Sequence, residues 1–379
     1  MSDKPPYQES RQIKLLTLAS GDLWAGAEAV VHQIAAGLLG NPSIRHTVAL
    51  LNHGRLETLC SQAGIDTRVI DESRHGFPAI LAKLVAICRA VKPDIIHAHR
   101  YKENLLAAIA AMACGRPRLI TTVHGLSEGM NSTFKGMMKS ALNRFLMRRM
   151  FDMTVAVSND IAISLSERSG VPSKRLATIV NGIDVHNGFP KKTRTLVDTF
   201  TIGSAGRLFP VKDFSIMVDI ARMTCAARTK ARFVLAGDGP EKDVILHRIR
   251  TNGLEDHFTL LGHVDDMQDF YAGLDIYINT SIHEGIPMTV LEAMARRIPV
   301  VAFAVGGLNE IVSHGHDGYL VQHRDAGEFS QYLIELIDDR DRLQRFGDNA
   351  GSTVHKRFST TRMTESYCSA YTRLLGNRP

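Results

Sequence analysis

Two successive α/β domains, each built on a parallel sheet, are what this sequence predicts, and three observations predict them. The chain has 379 residues, which is two to three times a usual domain length and calls for two buried cores. Short apolar runs alternate with helical patterns of about ten or more residues, and such crossovers force neighbouring strands to run parallel. The alternation breaks once, over the polar, aperiodic stretch HNGFPKKTRTLVDTF, and then restarts. The expected division is therefore 1–188 and 189–379, with the last helix (359–379) free to pack back on the first domain.

Taken in order, IKLLTLAS reads as a buried strand, and AEAVVHQIAAGLLG has helix periodicity stopped by Gly40. HTVALLN is a strand, FPAILAKLVAICRAVKP a helix ended by Pro93, DIIHAH a strand, ENLLAAIAAMACG a helix and RLITTVHG a strand. STFKGMMKSALNRFLMRRMFD is helical, FDMTVAVSNDIAISLSERSG supplies a strand and a helix, and ATIVNGID closes the first half. In the second half TIGSAGRL, ARFVLAGDG, FTLLGHV, DIYINTS, IPVVAFAV and GYLVQ read as strands, and the chain from Ala326 onward reads as helix. Ligands of open parallel sheets sit at the carboxyl ends of strands, so the stretches just after strands are where site residues are sought.

Composition narrows the class. An apolar content of 44% with 22% charged residues is that of an ordinary globular protein. Cys60, Cys88, Cys114, Cys225 and Cys368 form no CxxC pair and are odd in number, which suits a reducing compartment such as the cytosol. MSDKPPYQESRQ lacks the apolar core of a secretory signal, and the longest apolar run, Leu105 to Cys114, falls short of the ~20 residues that span a bilayer. Residues 1–189 hold 22 Lys/Arg against 15 Asp/Glu, and residues 190–379 hold 23 against 24. The first half is thus the basic one, consistent with an anionic partner such as a membrane surface or a phosphate-bearing acceptor, or with a merely solvated basic surface. Nothing in it calls for nucleic acid.

Three strand-end stretches carry chemistry. In GDLWAGAEAVV, Gly26 at a helix start allows close backbone approach and free N–H groups there can hold an anion, although an ordinary turn explains the stretch as well. In GSAGRLFPVKDF, Pro210 keeps the loop from continuing as a helix, so Arg207 and Lys212 can converge on one diphosphate; the alternative is two solvated cations. In DIYINTSIHEGIPMTVLEAMA, Pro287 suits the first position of a helix that buries Val290, Leu291, Met294 and Ile298. Glu284 then precedes the helix start and Glu292 lies inside it, roughly 10 Å apart, too far to share a proton. The free amides from Gly285 through Ile286, Pro287 and Met288 to Thr289 form an anion seat, within which Pro287 itself has no N–H to give. Glu292 also reads as an ordinary solvent-facing helix residue.

HEGIPMTVLEAMA resembles the E-x7-E segment of the retaining glycosyltransferases of family 4, which have the GT-B fold of two Rossmann-like domains with parallel sheets facing across a cleft. AGAE, DIIHAH, TTVHG, AVSNDI, VNGID, GRLFPVK, LAGDGP, LLGHVDD and AVGGLNEIV agree with that family in order and spacing across nearly the whole chain. By that resemblance the first domain binds the acceptor and the second the nucleotide sugar. Arg207 and Lys212 bind the donor diphosphate, Glu292 the two ribose hydroxyls and Glu284 the donor sugar near its reacting carbon. His124 lies against the transferred sugar, and Gly26 lets its loop approach phosphate or acceptor. The family often has two glycines before Ala-Glu; here the first is Ala25, which bears on the acceptor side.

The activity so implied moves a sugar from a UDP- or GDP-sugar donor to a hydroxyl of a glycan or lipid-linked acceptor in bacterial surface polysaccharide or glycolipid synthesis. The leaving phosphate oxygen would take the acceptor proton in a same-face attack, without cofactor or metal. Asp265–Asp266 and Asp338–Asp339 read as first-turn or surface acids. His97 and His99 point the same way on a strand with no evident third ligand, and are expected to line the cleft. Residues 132–152, basic with an apolar face, fit either a headgroup-layer helix at the inner face of the cytoplasmic membrane or a core-packed helix. A nucleotide-sugar epimerase and a non-catalytic partner in a polysaccharide assembly are the alternative activities.

Overall fold

The computed structural model describes residues 12–22, 24–125, 133–185 and 199–376. The chain divides into two compact units. Among the described residues, one unit runs to Val157, resumes over Ala162–Ile179 and takes the residues from Met363 onward; the other comprises Ser158–Ile161 and Val180–Arg362. The sequence-based boundary at 188/189 lies outside the described residues.

The first unit holds strands β1 (Ile13–Ala19), β2 (Ile44–Leu50), β3 (Asp66–Val69), β4 (Ile95–Ala98), β5 (Arg118–Val123), β6 (Met153–Ala156) and β7 (Leu176–Thr178). They form one sheet in the order β3-β2-β1-β4-β5-β6-β7, and every pairing is parallel. Because both faces carry crossover helices, its central strands read as continuous apolar runs. Leu16, Leu18, Ile96, Ala98 and Leu106 lie fully buried in the same core. Sequence reading missed the helix Arg55–Gln62 and the edge strand β3. DTRV is short, polar and only partly buried, so it carries no periodic signal of its own and is recruited by pairing with β2.

The second unit holds β8 (Phe200–Ala205), β9 (Ala231–Ala236), β10 (Phe258–Gly262), β11 (Ile276–Asn279), β12 (Val300–Phe303) and β13 (Gly318–Val321). Their order is β10-β9-β8-β11-β12-β13, again wholly parallel. Its core runs from Ile202 and Phe233 through Ile278 and Phe303 to Phe329 and Leu333. Each sheet reverses its winding once, between β1 and β4 in the first and between β8 and β11 in the second. At such a switch point the loops part, and the crevice at the strand ends is where this topology binds ligands.

Three helices, Ala326–Asp338, Arg340–Arg357 and Thr360–Gly376, complete the chain. Asp325 and Asp339 cap the first two by accepting backbone N–H bonds. From the third, Tyr367 and Tyr371 are fully buried in the first unit.

Candidate functional site

In the second unit the loops leaving β8 and β11 are tied together. Ile282 N–H donates to the Val211 carbonyl (2.8 Å) and the Thr280 hydroxyl to the Lys212 carbonyl (3.0 Å). Between them stands Glu284. One of its carboxylate oxygens accepts from Lys212 Nζ (2.5 Å), Ser281 Oγ (2.6 Å) and Asn279 Nδ2 (3.3 Å). Its side chain is 10% exposed and that of Lys212 25%. A largely buried carboxylate is stable only when paired and bonded in this way. Glu284 therefore fixes Lys212.

Arg324 completes the clamp, and no motif pointed to it. Its guanidinium donates to the Ser281 carbonyl (2.8 Å) and to Asp213 Oδ2 (2.5 Å), and lies over the Phe303 ring at 4.5 Å. Asp213 in turn caps the helix Phe214–Ala227. Lys212 through Glu284, and Asp213 through Arg324, thus hold the β8 loop to the β11 loop.

The loop after β12 closes against the same backbone. A Cβ on Gly306 would stand 2.0 Å from the Glu284 carbonyl, and one on Gly307 1.9 Å from that of Gly285. Gly306 also has a positive φ of 49°. The paired glycines of AVGGLNEIV are therefore required by close approach.

The helix after Glu284 is Met288–Ala295, with Pro287 as its N-cap in extended conformation. Pro287 stands one residue earlier than expected, because its carbonyl accepts from Val290 and Leu291 and so belongs to the cap. Gly285, Ile286, Pro287 and Met288 are buried and Thr289 half-buried. Glu292 does not face solvent freely. It is half-buried and accepts from the Tyr271 hydroxyl at 2.7 Å, while Arg296 lies over the Tyr271 ring at 4.7 Å. Burial raises the Glu292 carboxyl above its ordinary range, against the lowering effect of Tyr271 and Arg296.

Arg207 is exposed, with its guanidinium 4.9 Å from the centroid of the Phe209 ring. Lys212 is instead paired with Glu284. Pro210 does not exclude helix either; it begins the single 3-10 turn Pro210–Lys212, whose first position needs no N–H.

The first unit places a second polar centre at the ends of β4 and β5. His97 Nδ1 bonds the Tyr371 hydroxyl (2.9 Å), and His97 Nε2 the Thr122 hydroxyl (2.8 Å). Its ring lies against His99, tilted by 34°, with centroids 4.1 Å apart. His99 Nδ1 meets His124 Nε2 at 3.0 Å. His97 is wholly buried with both nitrogens occupied, so it does not line a cleft as the sequence reading expected; it braces the next ring. His99 is 3% exposed and His124 half-buried. Burial lowers all three: His97 and His124 fall to about 3, with His99 well below its usual value. All three rings are therefore neutral near pH 7 and act as hydrogen-bonding groups. Among the described residues no group of three or more His, Cys, Asp or Glu is placed to hold a metal ion.

Beside the histidines, Arg100 donates to Glu28 at 2.6 Å. Glu28 and Glu103 are buried at 2% and 1% exposure. Burial pushes Glu103 up to about 7 and raises Glu28 as well. Only the AGAE tetrad hinted at this pair. Ala25 is the half-buried N-cap of the helix Gly26–Leu38, and Gly26 is exposed at its first position.

Residues 24–187 match the family model described as Glycosyltransferase Family 4, and residues 188–353 that described as Glycosyl transferases group 1. The N-acetyl-alpha-D-glucosaminyl L-malate synthase of Bacillus anthracis is 26% identical over 304 residues, 77% of this chain and 78% of its own. The UDP-Gal:alpha-D-GlcNAc-diphosphoundecaprenol alpha-1,3-galactosyltransferase of Escherichia coli is 24% identical over 350 residues, 85% of this chain and 90% of its own. Among solved structures, Anabaena Alr3699/HepE in complex with UDP-glucose superposes with a TM-score of 0.83 at 23% identity, covering 96% of this chain and 100% of that one.

Proposed function

Because this chain belongs to the group 1 glycosyl transferases of family 4, a transferase family with the two-domain Rossmann-like GT-B fold, we propose that it moves a sugar from a UDP- or GDP-sugar to a hydroxyl of a glycan or lipid-linked acceptor, with retention of anomeric configuration. The observation that carries the proposal is the Lys212–Glu284 pair at the β8/β11 switch point. A cation bonded to a carboxylate at the crevice of a parallel sheet is prepared for a ligand with both phosphate and hydroxyls.

In this reading Lys212 and Arg207 take the charge that builds on the leaving diphosphate, together with the amides of Met288 and Thr289 at the start of the helix Met288–Ala295. Glu284 orients the sugar and holds Lys212. Glu292 accepts from the ribose hydroxyls, with Tyr271 fixing its rotamer. His124, neutral, hydrogen-bonds the transferred sugar, and the departing phosphate oxygen receives the acceptor proton. No metal is invoked, since fixed cations and amides do the same electrostatic work. The named relatives support the class of acceptor: one carries diphosphoundecaprenol in its name and another is a capsular polysaccharide biosynthesis glycosyltransferase.

The helix Phe134–Arg149, FKGMMKSALNRFLMRR, supports a peripheral contact with an anionic membrane at its cytoplasmic face. It contains no acidic residue and exposes Phe134 (76%), Met138 (58%) and Phe145 (55%) beside its cations. Among the described residues no helix is long and apolar enough to cross a membrane.

The test is a screen of nucleotide sugars by thermal shift and by release of nucleotide, followed by NMR of the product's anomeric proton. A stabilising UDP- or GDP-sugar whose anomeric configuration is kept in the product agrees with the proposal. Sugar interconversion without acceptor, or an inverted product, overturns it.

A further inference from the structure

We propose that Arg100 is an anion-binding residue of the first unit, held by Glu28 to receive a phosphate or carboxylate of the acceptor beside the hydroxyl that takes the sugar. The inference rests on the reading of the first unit as the acceptor-binding one.

The placement comes from the topology. β1 and β4 are neighbours on either side of the first sheet's reversal. Glu28 belongs to the helix after β1 and Arg100 stands two residues after β4, so their 2.6 Å contact bridges the switch point. Lys212 and Glu284 bridge the second unit's switch point in the same manner, from the loops after β8 and β11. In both pairs the carboxylate is the buried member and the cation the open one: Glu28 is 2% exposed and Arg100 39%, Glu284 10% and Lys212 25%. The buried carboxylate thus fixes a guanidinium whose outer edge is left within reach of a ligand.

Glu28 engages only Nη2 of Arg100, and a guanidinium carries five N–H donors in one plane. The helix Tyr101–Ala113 begins at the next residue, with Arg100 as its N-cap and no side-chain cap bond. The amides of Tyr101 and Lys102 therefore have no intrahelical acceptor and carry the positive end of the helix dipole. A planar fork and two amides at one point suit an anion with two or three oxygens. The neighbouring cations are turned elsewhere, Lys102 to Glu72 and Arg55 over the Trp24 ring at 5.1 Å. Glu103, with its carboxyl pushed up to about 7, opposes an anion less than an ordinary glutamate does. The charge of Arg100 is also one cause that lowers His99 and His124, which puts the anion seat beside the two neutral rings. A hydroxyl at the rings and a negative group at Arg100 describe an acceptor whose reacting sugar carries, or adjoins, a phosphate or a carboxylate.

The experiment titrates sodium phosphate, and separately sodium malonate, into the full 15N-labelled chain, with ionic strength held by sodium chloride and no nucleotide present. The Arg100 Nε–Hε signal is assigned by its loss in Arg100→Lys, and the backbone amides of Tyr101 and Lys102 report on every variant. The expected result is a saturable shift of these signals with a Kd of about 1–10 mM for at least one of the two anions, while exposed Arg250 of the second unit does not saturate over the same range. Tighter binding of phosphate assigns the seat to a phosphate-bearing acceptor, and tighter binding of malonate to a carboxylate-bearing one. Arg100→Gln should weaken binding at least about tenfold, and Arg100→Lys, which keeps the charge and the pairing with Glu28 but loses the fork, by about threefold. Absence of saturation with both anions, a shift no more saturable than that of Arg250, or an Arg100→Gln protein that binds as the wild type does, overturns the proposal. If Arg100→Gln does not fold, the wild type and Arg100→Lys decide. Phosphate that binds at Arg100 yet inhibits sugar transfer competitively against the nucleotide sugar alone would instead sink the acceptor reading of the first unit, while the anion site still stands.

Discussion

The two units wind their sheets in the same way and reverse them at the same kind of switch point, yet they furnish those points with opposite electrostatics. At the second unit's switch point charges are paired and held: Lys212 with Glu284, and Arg324 with Asp213. At the first unit's, the principal groups are neutral imidazoles lying against one another, and the nearby carboxylates Glu28 and Glu103 have their acid forms favoured by burial. The fold supplies the crevice, and the side chains decide what it recognises. A permanent charge suits the doubly esterified diphosphate of a nucleotide sugar, whose charge does not vary near neutral pH. Neutral donors and acceptors suit hydroxyls, which a fixed charge would orient no better and would cost more to bury.

Breaking the charged centre should have the largest effect. Lys212→Ala should lower kcat for transfer by about 100- to 1,000-fold, as loss of a preorganised cation at a developing oxyanion does, and Glu284→Gln comparably, because it releases Lys212. Steady-state nucleotide release measures it, and a loss below tenfold in both would contradict the assignment. Next comes Arg324→Ala, which removes bonds to Asp213 and to the Ser281 and Thr280 carbonyls. It should destabilise the protein by about 1–3 kcal/mol, seen in urea unfolding, because it strands a partly buried carboxylate and two carbonyls. Glu292→Gln should be milder, raising the donor KM by about tenfold, or ~1.4 kcal/mol, with kcat little altered. Unchanged KM would return Glu292 to the role of a helix residue bonded to Tyr271.

How much of this was legible in the sequence follows the same division. Both sheets were legible because buried parallel strands read as apolar runs between helices, and GRLFPVK and HEGIPMTVLEAMA gave away the strand ends with their charges. What could not be read were partnerships made by the fold. Tyr271 reaches Glu292 across 21 positions and Arg324 reaches Asp213 across 111, and neither lies in a local pattern. His97 looked like a cleft residue because strand alternation puts it on the same side as His99, but alternation does not say that Tyr371, 274 positions away, will cover it. Glu103 is likewise an ordinary helix glutamate in the sequence, buried only once the sheet forms beneath its helix.

An effect of similar size concerns that glutamate and pH. With its carboxyl raised to about 7 from an ordinary 4.5, Glu103 stays protonated in the folded chain while the unfolded chain has lost the proton. Its contribution is fully present below about pH 4.5 and is lost as pH rises through about 7. Glu103→Gln should therefore stabilise the protein at pH 8 by about 1–2 kcal/mol, and the gain should vanish near pH 4.5. The lowered histidines act in the other sense. His97 and His124 contribute above the ordinary histidine range, and that stability is lost as pH falls from about 6.5 toward about 3. Thermal melts of both proteins from pH 4 to 8 separate the two signs.

The contrast between a charged centre for the diphosphate and a neutral one for hydroxyls is tested most directly by calorimetric titration of UDP and GDP into the wild type, Lys212→Ala and His124→Ala proteins. One of the two nucleotides should bind the wild type, bind Lys212→Ala at least about tenfold more weakly, and bind His124→Ala as it binds the wild type. Equal affinity of the wild type and Lys212→Ala, or a greater loss in His124→Ala, would contradict the account.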